Sequence, residues 1–487
     1  MSHRCTKPCS MSRRSFLRAA SAGFAAAAWR GLAQASAARA ITTSNEKPNF
    51  IVIFADDLGY GDLGCFGAEN VRTPAIDRLA AEGMKLTSFY VVAPVCTPSR
   101  AALMTGCYPT RIGMAAGSRH AVLLAGDSKG LHPDEITIAE VLKAAGYSTG
   151  IFGKWHLGDQ PEFLPTRQGF DEFFGMPYSW DIHPTHPNQE QFHFPPLPLL
   201  DGEKVIELDP DLDRVTERIT ERAVRFIEHN KDRPFFLYLP HFLPHRPLHI
   251  SPLFMRSVGK DLEATIRQES AGVDSRTRDK LFPQAVSEID WSVGQIMQTL
   301  RRLQLDRNTL ILFTSDNGPG IGNAGPLRGG KGSTLEGGMR EPTVAWWPGR
   351  IPSGSVCDEL LTTMDLLPSF ARLAGARMPS DRVIDGKDIW PVLSGQSGAK
   401  SPHEFFFYHG GNRLVAVRSG KWKLRVKGEE PVALFDLDQD IRETRSVLEQ
   451  NPSVAERLLG YIRRFEKDLA ANGRLAGFID APKPLSK

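Results

Sequence analysis

Short runs of apolar, β-branched and aromatic residues alternate with amphipathic segments along most of the chain. The run NFIVIFADDLG, residues 49–59, is typical of a buried strand of a parallel sheet that ends in polar residues. Further strands are predicted at residues 85–94, 147–154, 235–240 and 309–316. Helical patterns lie between them, at residues 73–83, 99–106, 135–145, 212–229 and 281–303. This alternation predicts an α/β fold in which helices sandwich a large mixed, mostly parallel sheet.

The pattern changes after a helical segment at residues 366–374. HEFFFYHGGNRLVAVRSGKWKLRV alternates like hairpin strands, and an amphipathic helix is predicted at 452–471. We therefore expect a catalytic domain at 41–375 and a small C-terminal α+β subdomain, built on an antiparallel sheet, at 376–487. The segment 176–212 is rich in Pro, His and Asn and is predicted to be a long functional loop.

Residues 1–40 differ in composition from the rest of the chain. They hold seven Lys or Arg and no acidic residue, so 52 basic and 56 acidic residues remain beyond them, a net charge of −4. This balance speaks against nucleic-acid binding. Arg13 and Arg14 precede an alanine-rich stretch that ends in ASAARA, and cleavage is possible after Ala40. This segment as a whole resembles a twin-arginine signal peptide. We expect export by the Tat machinery to the periplasm or outside the cell, a disordered basic tail being the alternative.

No apolar run of the sequence approaches the ~20 residues that a membrane-spanning helix needs. We therefore expect no stable membrane insertion.

Polar clusters follow the predicted strands, where the carboxyl ends of parallel strands form ligand sites. Asp56 and Asp57 follow the first strand, and Asp316 and Asn317 follow the apolar run of the strand at 309–314. Four oxygen-bearing side chains without a thiolate or imidazole suit a hard divalent cation, Ca²⁺ or Mg²⁺, better than zinc. Taken singly, each pair could instead belong to a turn or a helix cap.

Basic side chains also follow the predicted strands or lie in glycine-rich sequence. Lys154 and His156 share one face of the extended FGKWHLG segment, His241 and His245 follow the strand at 235–240, and Lys331 lies in GGKGST. Such groups suit an anionic substrate and proton transfer. A surface lysine and structural histidines are the alternative.

Cys96 opens the sequence CTPSRAALMTG. It could be half of a disulfide, a zinc ligand, or a thiolate whose pKa Arg100 lowers, but it lacks a CxxC partner and no protease signature surrounds it. Pairing among the other cysteines of the mature chain, Cys65, Cys107 and Cys357, stays open.

CTPSRAALMTG closely resembles the signature of the type I sulfatases. FADDLGYGDLGCFG, GKWHLG, QGFDEFFGMPYS, HRP, TSDNGP, GGKGSTLEGGMREP and LFDLDQDIRE resemble further sulfatase blocks, in sulfatase order, between residues 49 and 445. The branch of arylsulfatase A and N-acetylgalactosamine-6-sulfatase is the most similar. The resemblance implies an alkaline phosphatase-like fold, hydrolysis of sulfate esters, and a maturation enzyme that converts Cys96 to formylglycine.

The resemblance also implies roles for individual residues. The cation, Ca²⁺ rather than Mg²⁺, would be held by Asp56, Asp57, Asp316 and Asn317. Cys96, as the formylglycine hydrate, would attack sulfur and form a sulfo-enzyme intermediate, and Arg100 would stabilise the hydrate. The sulfate and the leaving oxygen would be surrounded by Lys154, His156, His245 and Lys331, with Ser179 on the substrate side. His245 is expected as the acid and His156 as the base.

Two other functions are compatible with the same set of residues. A phosphonate or phosphate monoester hydrolase of the same superfamily would share the fold, and a non-catalytic binder of sulfated glycans would keep an unconverted cysteine. The natural ester could be that of a glycan, a lipid or a small phenol.

Overall fold

The computed structural model describes residues 47–268 and 275–485, so the predicted signal at 1–40 lies outside the described residues. The strands are β1 Asn49–Ala55, β2 Met84–Leu86, β3 Phe89–Tyr90, β4 Lys129–Gly130, β5 Ser148–Lys154, β6 Glu172–Met176, β7 Pro198–Asp201, β8 Lys204–Leu208, β9 Phe235–Pro240, β10 Thr309–Ser315, β11 Thr343–Trp346, β12 Ser355–Cys357, β13 Leu361–Thr362, β14 Phe406–Gly410, β15 Arg413–Ser419, β16 Trp422–Lys427, β17 Glu430–Asp436 and β18 Gly477–Phe478. The helices are α1 Pro74–Glu82, α2 Cys96–Thr105, α3 Ile138–Ala144, α4 Gln189–Phe192, α5 Val215–His229, α6 Pro252–Met255, α7 Lys260–Gln268, α8 Ser275–Asp279, α9 Phe282–Arg302, α10 Glu336–Met339, α11 Leu366–Ala374, α12 Trp390–Leu393 and α13 Pro452–Asn472.

The large sheet has ten strands within the described ranges, in the order β12-β2-β11-β10-β1-β9-β5-β6-β7-β8. Neighbours run parallel from β10 to β6, and antiparallel pairs flank this centre on both sides. The predicted mixed, mostly parallel sheet is confirmed.

Both faces of the sheet are covered by helices because its central strand, β1, is apolar on both sides. Ile51 and Ile53 belong to the core cluster that includes buried residues of α1, α5 and α9. Phe50 and Val52 alternate with them and belong to the cluster that includes residues of α3 and α11. Phe50 stacks on Phe370 of α11 with ring centroids 4.3 Å apart. The continuous apolar run of β1 is what a strand buried on both faces requires.

Two sequence predictions are wrong in detail. The segment 176–212 is not one long loop, because β7 and β8 form an antiparallel hairpin that extends the sheet from β6. The run at 85–94 is not one strand. Residues 84–86 form β2 in the large sheet, whereas β3 pairs with β13 in a separate two-stranded sheet.

The C-terminal sheet, in the order β14-β15-β16-β17, is antiparallel as predicted. Helix α13 packs on it, and Phe465 stacks on Phe407 with ring centroids 4.2 Å apart. The boundary between residues 375 and 376 stays a prediction.

A buried ion cluster joins this sheet to the segment that carries Lys331. Lys423 Nζ on β16 donates to the Glu336 carboxylate at 3.0 Å and to the carbonyl of Thr334 at 3.0 Å, and it lies 2.9 Å from Glu443 Oε1. The Glu443 carboxylate in turn accepts the backbone N–H of Glu336 at 2.7 Å. The C-terminal sheet therefore holds the start of α10, a few residues after Lys331.

Candidate active site

Four adjacent parallel strands bring the predicted site residues to one edge of the large sheet. Strands β10, β1, β9 and β5 are neighbours, and the last residues of β1 and β10 stand side by side. The chain leaves their carboxyl ends at Asp316, Asp56, His241 and Lys154. The sequence predicted this convergence, because parallel strands all end at the same edge.

Gly153 allows the strands β5 and β9 to approach closely just before Lys154. Its φ is +135°, and a Cβ atom there would stand 1.9 Å from the carbonyl oxygen of Pro240. No side chain fits that distance, so only glycine is tolerated at position 153. This close approach of β5 and β9 sets the position of the next residue, Lys154.

Cys96 is the first residue of α2 and is 2% exposed. Its Sγ lies 3.5 Å from Asp56 Oδ1. Burial raises the pKa of the Cys96 thiol well above its usual value, although Lys154 and Lys331 act in the opposite direction. The unmodified side chain would therefore be a neutral thiol at neutral pH, which is a poor nucleophile.

Arg100 lies one helical turn after Cys96 on α2 and is fully buried. Its Nε and Nη2 donate to Asp316 Oδ2 at 3.0 and 2.8 Å, and its Nη1 donates to the carbonyl of Lys154 at 3.1 Å. Nη2 is also 3.5 Å from Asp56 Oδ1. The guanidinium thus ties the ends of β10 and β5 to the helix that carries Cys96.

Two lysines neutralise the aspartates that follow β1. Lys154 Nζ donates to Asp56 Oδ2 at 2.7 Å, and Lys331 Nζ donates to Asp57 Oδ2 at 2.8 Å. Burial alone would raise the pKa of Asp56, but the positive charges of Lys154 and Arg100 outweigh it and hold that pKa well below its usual value. The pKa of Lys331 lies well above its usual value, because Asp57 outweighs the burial that would lower it. Both lysines are therefore cations.

His245 Nε2 lies 2.8 Å from Lys331 Nζ and 3.7 Å from Asp57 Oδ2. Its other nitrogen, Nδ1, contacts the carbonyl of Arg246 at 2.5 Å. A carbonyl only accepts, so Nδ1 carries the ring proton and Nε2 accepts from the Lys331 ammonium. Lys331 and His245 thus hold a proton between them beside Asp57.

His156 is buried, with a left-handed backbone (φ +65°). Its Nε2 lies 2.9 Å from the carbonyl of Leu123 and therefore carries the proton, while Nδ1 has no protein partner. Burial, together with Lys154 and Arg100, lowers the pKa of His156 well below its usual value. The imidazole is therefore neutral, with a free lone pair on Nδ1. Ser179 is also buried, and its Oγ has no partner within the described residues.

The residues predicted to hold a cation share one hydrogen-bonded cluster. Asn317 Nδ2 donates to Asp57 Oδ1 at 2.7 Å, and Asp316 Oδ1 accepts the backbone N–H of Asp57 at 3.1 Å. Burial and the neighbouring Asp56 raise the pKa of Asp316 to about 6, against the effect of Arg100.

The surroundings of the Asn317 amide oxygen show whether these residues could hold a cation. Asn317 Oδ1 is buried without a protein partner, as an oxygen reserved for a cation would be. Ligand atoms of Asp56, Asp57, Cys96 and His245 also lie within 4.8 Å of one another. The residues present therefore fit a divalent cation beside Cys96.

Two acidic residues near this cluster were not singled out from the sequence. Glu341 is fully buried with no partner for either carboxylate oxygen, and burial, reinforced by Asp316 and Asp57, raises its pKa well above the usual value. Asp181 Oδ1 lies 4.0 Å from His245 Nδ1. GGMREP, which contains Glu341, belongs to a block that carried the resemblance, but the need for a carboxylate there is visible only in three dimensions.

A model of the sulfatase family matches residues 48–376, about two thirds of the chain. The chain belongs to the sulfatase family. A second family model, described as the C-terminal part of N-sulphoglucosamine sulphohydrolase, matches residues 331–466 of this sulfatase. Sulfatases are sulfuric ester hydrolases, and so the chain is an enzyme of that class.

Known sulfatases match most of the chain. It is 38% identical to human arylsulfatase A over 82% of the chain and 83% of that protein, and 40% identical to N-acetylgalactosamine-6-sulfatase of Canis lupus familiaris over 82% and 76%. The crystal structure of the PsFucS1 sulfatase from Pseudoalteromonas sp. matches with a TM-score of 0.76 and 27% identity, covering 89% of this chain and 93% of that one. The similarity thus extends over sequence and fold together.

The structure also bears on the pairing of the cysteines and on membrane insertion. Cys65, Cys96, Cys107 and Cys357 are all free thiols there. Within residues 47–268 and 275–485, no helix combines the length and the apolar character that crossing a membrane requires.

Proposed function

We propose that this sulfatase cleaves the sulfate ester of an alcohol or phenol with a formylglycine nucleophile made from Cys96 and a Ca²⁺ ion beside it. The position of Cys96 carries the proposal. Its sulfur lies 3.5 Å from a carboxylate oxygen of Asp56, whose other oxygen pairs with Lys154. A buried centre with cations on several sides suits the charge of a sulfate ester and of its transition state.

The proposed Ca²⁺ ligands are Asp56, Asp57, Asp316 and Asn317. The support is the oxygen-only donor set and the unpartnered amide oxygen of Asn317. When bound, the cation supplies positive charge that polarises the sulfate oxygens.

The proposed aldehyde arises from Cys96 through a maturation enzyme. Its hydrate supplies two hydroxyl groups on one carbon, one to attack sulfur and one to drive the release of sulfate. The high pKa of the buried thiol supports the need for conversion, because the unmodified cysteine would stay protonated. We assign to Arg100 the orientation of this side chain, because its guanidinium is fixed by Asp316 and by the carbonyl of Lys154.

Proton transfer is assigned to the two histidines. His245 shares a proton with Lys331 at its Nε2 atom and is placed as the acid that protonates the departing oxygen. His156 keeps a free lone pair on Nδ1 and is placed as the base that accepts a proton as sulfate leaves. Lys154 and Lys331 would hold the sulfate oxygens, and Ser179 would donate to the substrate from its unpartnered hydroxyl.

Parallel kinetics on three nitrophenyl esters test the proposal. We expect turnover of nitrophenyl sulfate to exceed that of the phosphate and phosphonate, and Cys96→Ala to lose about 10⁴-fold or more in kcat. Cys65→Ala removes a half-buried cysteine outside the site and is the matched control. Preferred hydrolysis of the phosphate or phosphonate would favour the other hydrolase class. Binding of sulfated ligands by the matured protein without turnover would favour a non-catalytic binder.

Export through the Tat machinery to the periplasm or beyond belongs to the same proposal. Its support is the adjacent Arg13 and Arg14 ahead of an alanine-rich stretch. Replacement of both arginines by lysine should leave the full-length chain in the cytoplasm, which fractionation measures. Unchanged export of this variant would contradict the proposal.

A further inference from the structure

Glu341 carries a fully buried carboxyl group to which the proposed reaction assigns no role. Neither of its carboxylate oxygens has a hydrogen-bond partner within the described residues. Burying a carboxyl group without a partner costs free energy, so such groups are rare in native proteins. Where one occurs, a nearby ion is one physical explanation for it.

The fold places Glu341 beside the end of β10. Strands β10 and β11 are antiparallel, and the hydroxyl groups of Thr314 and Thr343 lie 2.7 Å apart across them. Continued for two residues beyond this pair, the same register brings Glu341 opposite Asp316. The residue just before β11 is therefore a neighbour of the carboxyl end of β10, where the proposed cation site begins.

Electrostatics link Glu341 to two of the proposed ligands of the cation. Burial raises the pKa of Glu341 well above its usual value, and Asp316 and Asp57 raise it further. No hydrogen bond joins the carboxyl group to either aspartate, since both of its oxygens lack a partner among residues 47–268 and 275–485. The interaction is therefore one between like charges, which is unfavourable unless a positive charge offsets it.

The three aspartates of the proposed cation site are already balanced, one to one, by basic side chains. The buried pairs, with distances of 2.7, 2.8 and 2.8 Å, are Asp56–Lys154, Asp57–Lys331 and Asp316–Arg100. A divalent cation would add two positive charges that these pairs do not offset. Because uncompensated charge is costly in a buried site, a further carboxylate would favour binding of the ion.

Glu341 is the carboxyl group that the fold places next to this balanced set. Without an ion, burial and the two neighbouring aspartates disfavour its charged form. A bound divalent cation acts in the opposite direction, because it is the largest local charge and attracts the carboxylate. The ion and the ionised carboxylate of Glu341 would therefore stabilise each other.

We propose that Glu341 is a positioning residue of the cation site, whose carboxylate lies beside Asp57 and Asp316 and balances one charge of the bound divalent cation. The inference rests on the proposed function, because it takes these aspartates as ligands of the ion. Glu341 acts through the ion and not on the substrate, so its effect is expected in the affinity for the metal.

Calorimetric titration of the full chain, freed of metal with a chelator and then given Ca²⁺ alone or Mg²⁺ alone, tests the proposal without turnover. Glu341→Gln keeps the size of the side chain but loses its charge. It should weaken binding of the preferred ion about 10–100-fold, as loss of a carboxylate behind metal ligands does. Glu341→Asp keeps the charge and should bind the ion more tightly than Glu341→Gln. A purely structural role predicts the reverse order, because glutamine matches glutamate in shape.

Thermal melting in chelator separates an effect on the ion from an effect on the fold. Without metal, Glu341→Gln should melt at the wild-type temperature or above it, because an uncharged amide replaces an acid beside two other acids. Glu288→Gln is the matched control. Glu288 is a fully buried glutamate of α9, likewise with an unpartnered carboxylate oxygen, and its replacement should leave the affinity for the ion unchanged.

Four results would overturn the proposal: a wild type that binds neither ion, a Glu341→Gln variant that binds the ion as tightly as the wild type, a Glu341→Asp variant that binds it more weakly than Glu341→Gln, or a Glu341→Gln variant that melts well below the wild type in chelator. Failure of the proposed function would show separately, as absent turnover of nitrophenyl sulfate by the matured enzyme.

Discussion

Replacing Arg100 by methionine tests how the buried charges of the site stabilise one another. The guanidinium makes two hydrogen bonds to Asp316 Oδ2, and neither side chain is exposed to solvent. Removing one partner of such a pair leaves a buried carboxylate oxygen without its cation, which costs about 3–5 kcal/mol. The carbonyl of Lys154 loses its donor as well.

The corresponding shift in melting temperature follows from the size of the compact unit Lys47–Lys487. At about 2.1 cal/mol/K per residue, its unfolding entropy is about 0.9 kcal/mol/K, so that each kcal/mol shifts Tm by about 1 °C. Arg100→Met should therefore lower Tm by about 3–5 °C in a thermal melt with chelator present. The Tm of Arg100→Lys should lie between those of this variant and the wild type. Lysine keeps the positive charge but lacks the guanidinium that donates two hydrogen bonds to Asp316.

Arg78→Met is the matched control for this experiment. Arg78 pairs with Glu82 at 2.7 Å on the surface of α1, with 60% of its side chain exposed. Such a pair is worth about 0.3–0.5 kcal/mol, so Tm should change by less than about 1 °C. If Arg100→Met melted within a degree of Arg78→Met, the buried pair of Arg100 and Asp316 would not stabilise the folded protein.

Three further perturbations test the scaffold and the cation site. Gly153→Ala places a Cβ 1.9 Å from the carbonyl oxygen of Pro240 and should destabilise the fold by more than about 3 kcal/mol in urea unfolding. Lys423→Met leaves Glu336 and Glu443 without their shared cation and should cost about 3–5 kcal/mol in the same measurement. The proposed Ca²⁺ site predicts that a chelator lowers Tm, and that restoring the ion to 100 times its Kd returns about 2.7 kcal/mol, or about 3 °C.

Each of these predictions has a contradicting outcome. Wild-type stability of Gly153→Ala would mean that β5 and β9 are not pressed together at this point. Wild-type stability of Lys423→Met would mean that the buried ion cluster does not tie the C-terminal sheet to α10. A Tm that responds to Ca²⁺ equally in the wild type and in Asp316→Asn would place the ion elsewhere.

The sequence predicted best the elements whose pattern follows from burial on both faces of a sheet. Strand β1 is one apolar run followed by two aspartates, so both its burial and the position of Asp56 could be predicted. The convergence of Asp316 and Lys154 on Asp56 then followed from the rule that parallel strands share a carboxyl edge.

The predictions that failed concern segments whose pairing is not local. Strands β7 and β8 lie in a Pro- and His-rich segment, and only the edge offered by β6 makes them part of the large sheet. Likewise, β3 leaves the run at 85–94 because β13, distant in sequence, supplies its partner. The sequence of a strand does not show which distant strand it will pair with.

The surroundings of the site were predicted less well than its centre. Asp181 stands out only because it lies near His245, which is distant in sequence. Glu341 stands out only because it is buried near Asp316 and Asp57. The cleft that Trp180 and Asp181 line likewise joins residues from four separate stretches between 180 and 278. Spacing along the chain cannot reveal such an arrangement.

The most direct test of the central claim is the mass of the tryptic peptide 86–100, which contains Cys96, measured together with activity on nitrophenyl sulfate. Preparations that differ in maturation should differ in the fraction of peptide that carries the aldehyde in place of the thiol. If formylglycine is the nucleophile, specific activity rises in proportion to this fraction and extrapolates to zero without it. A preparation with only an intact thiol at position 96 and undiminished sulfate-ester hydrolysis would contradict it.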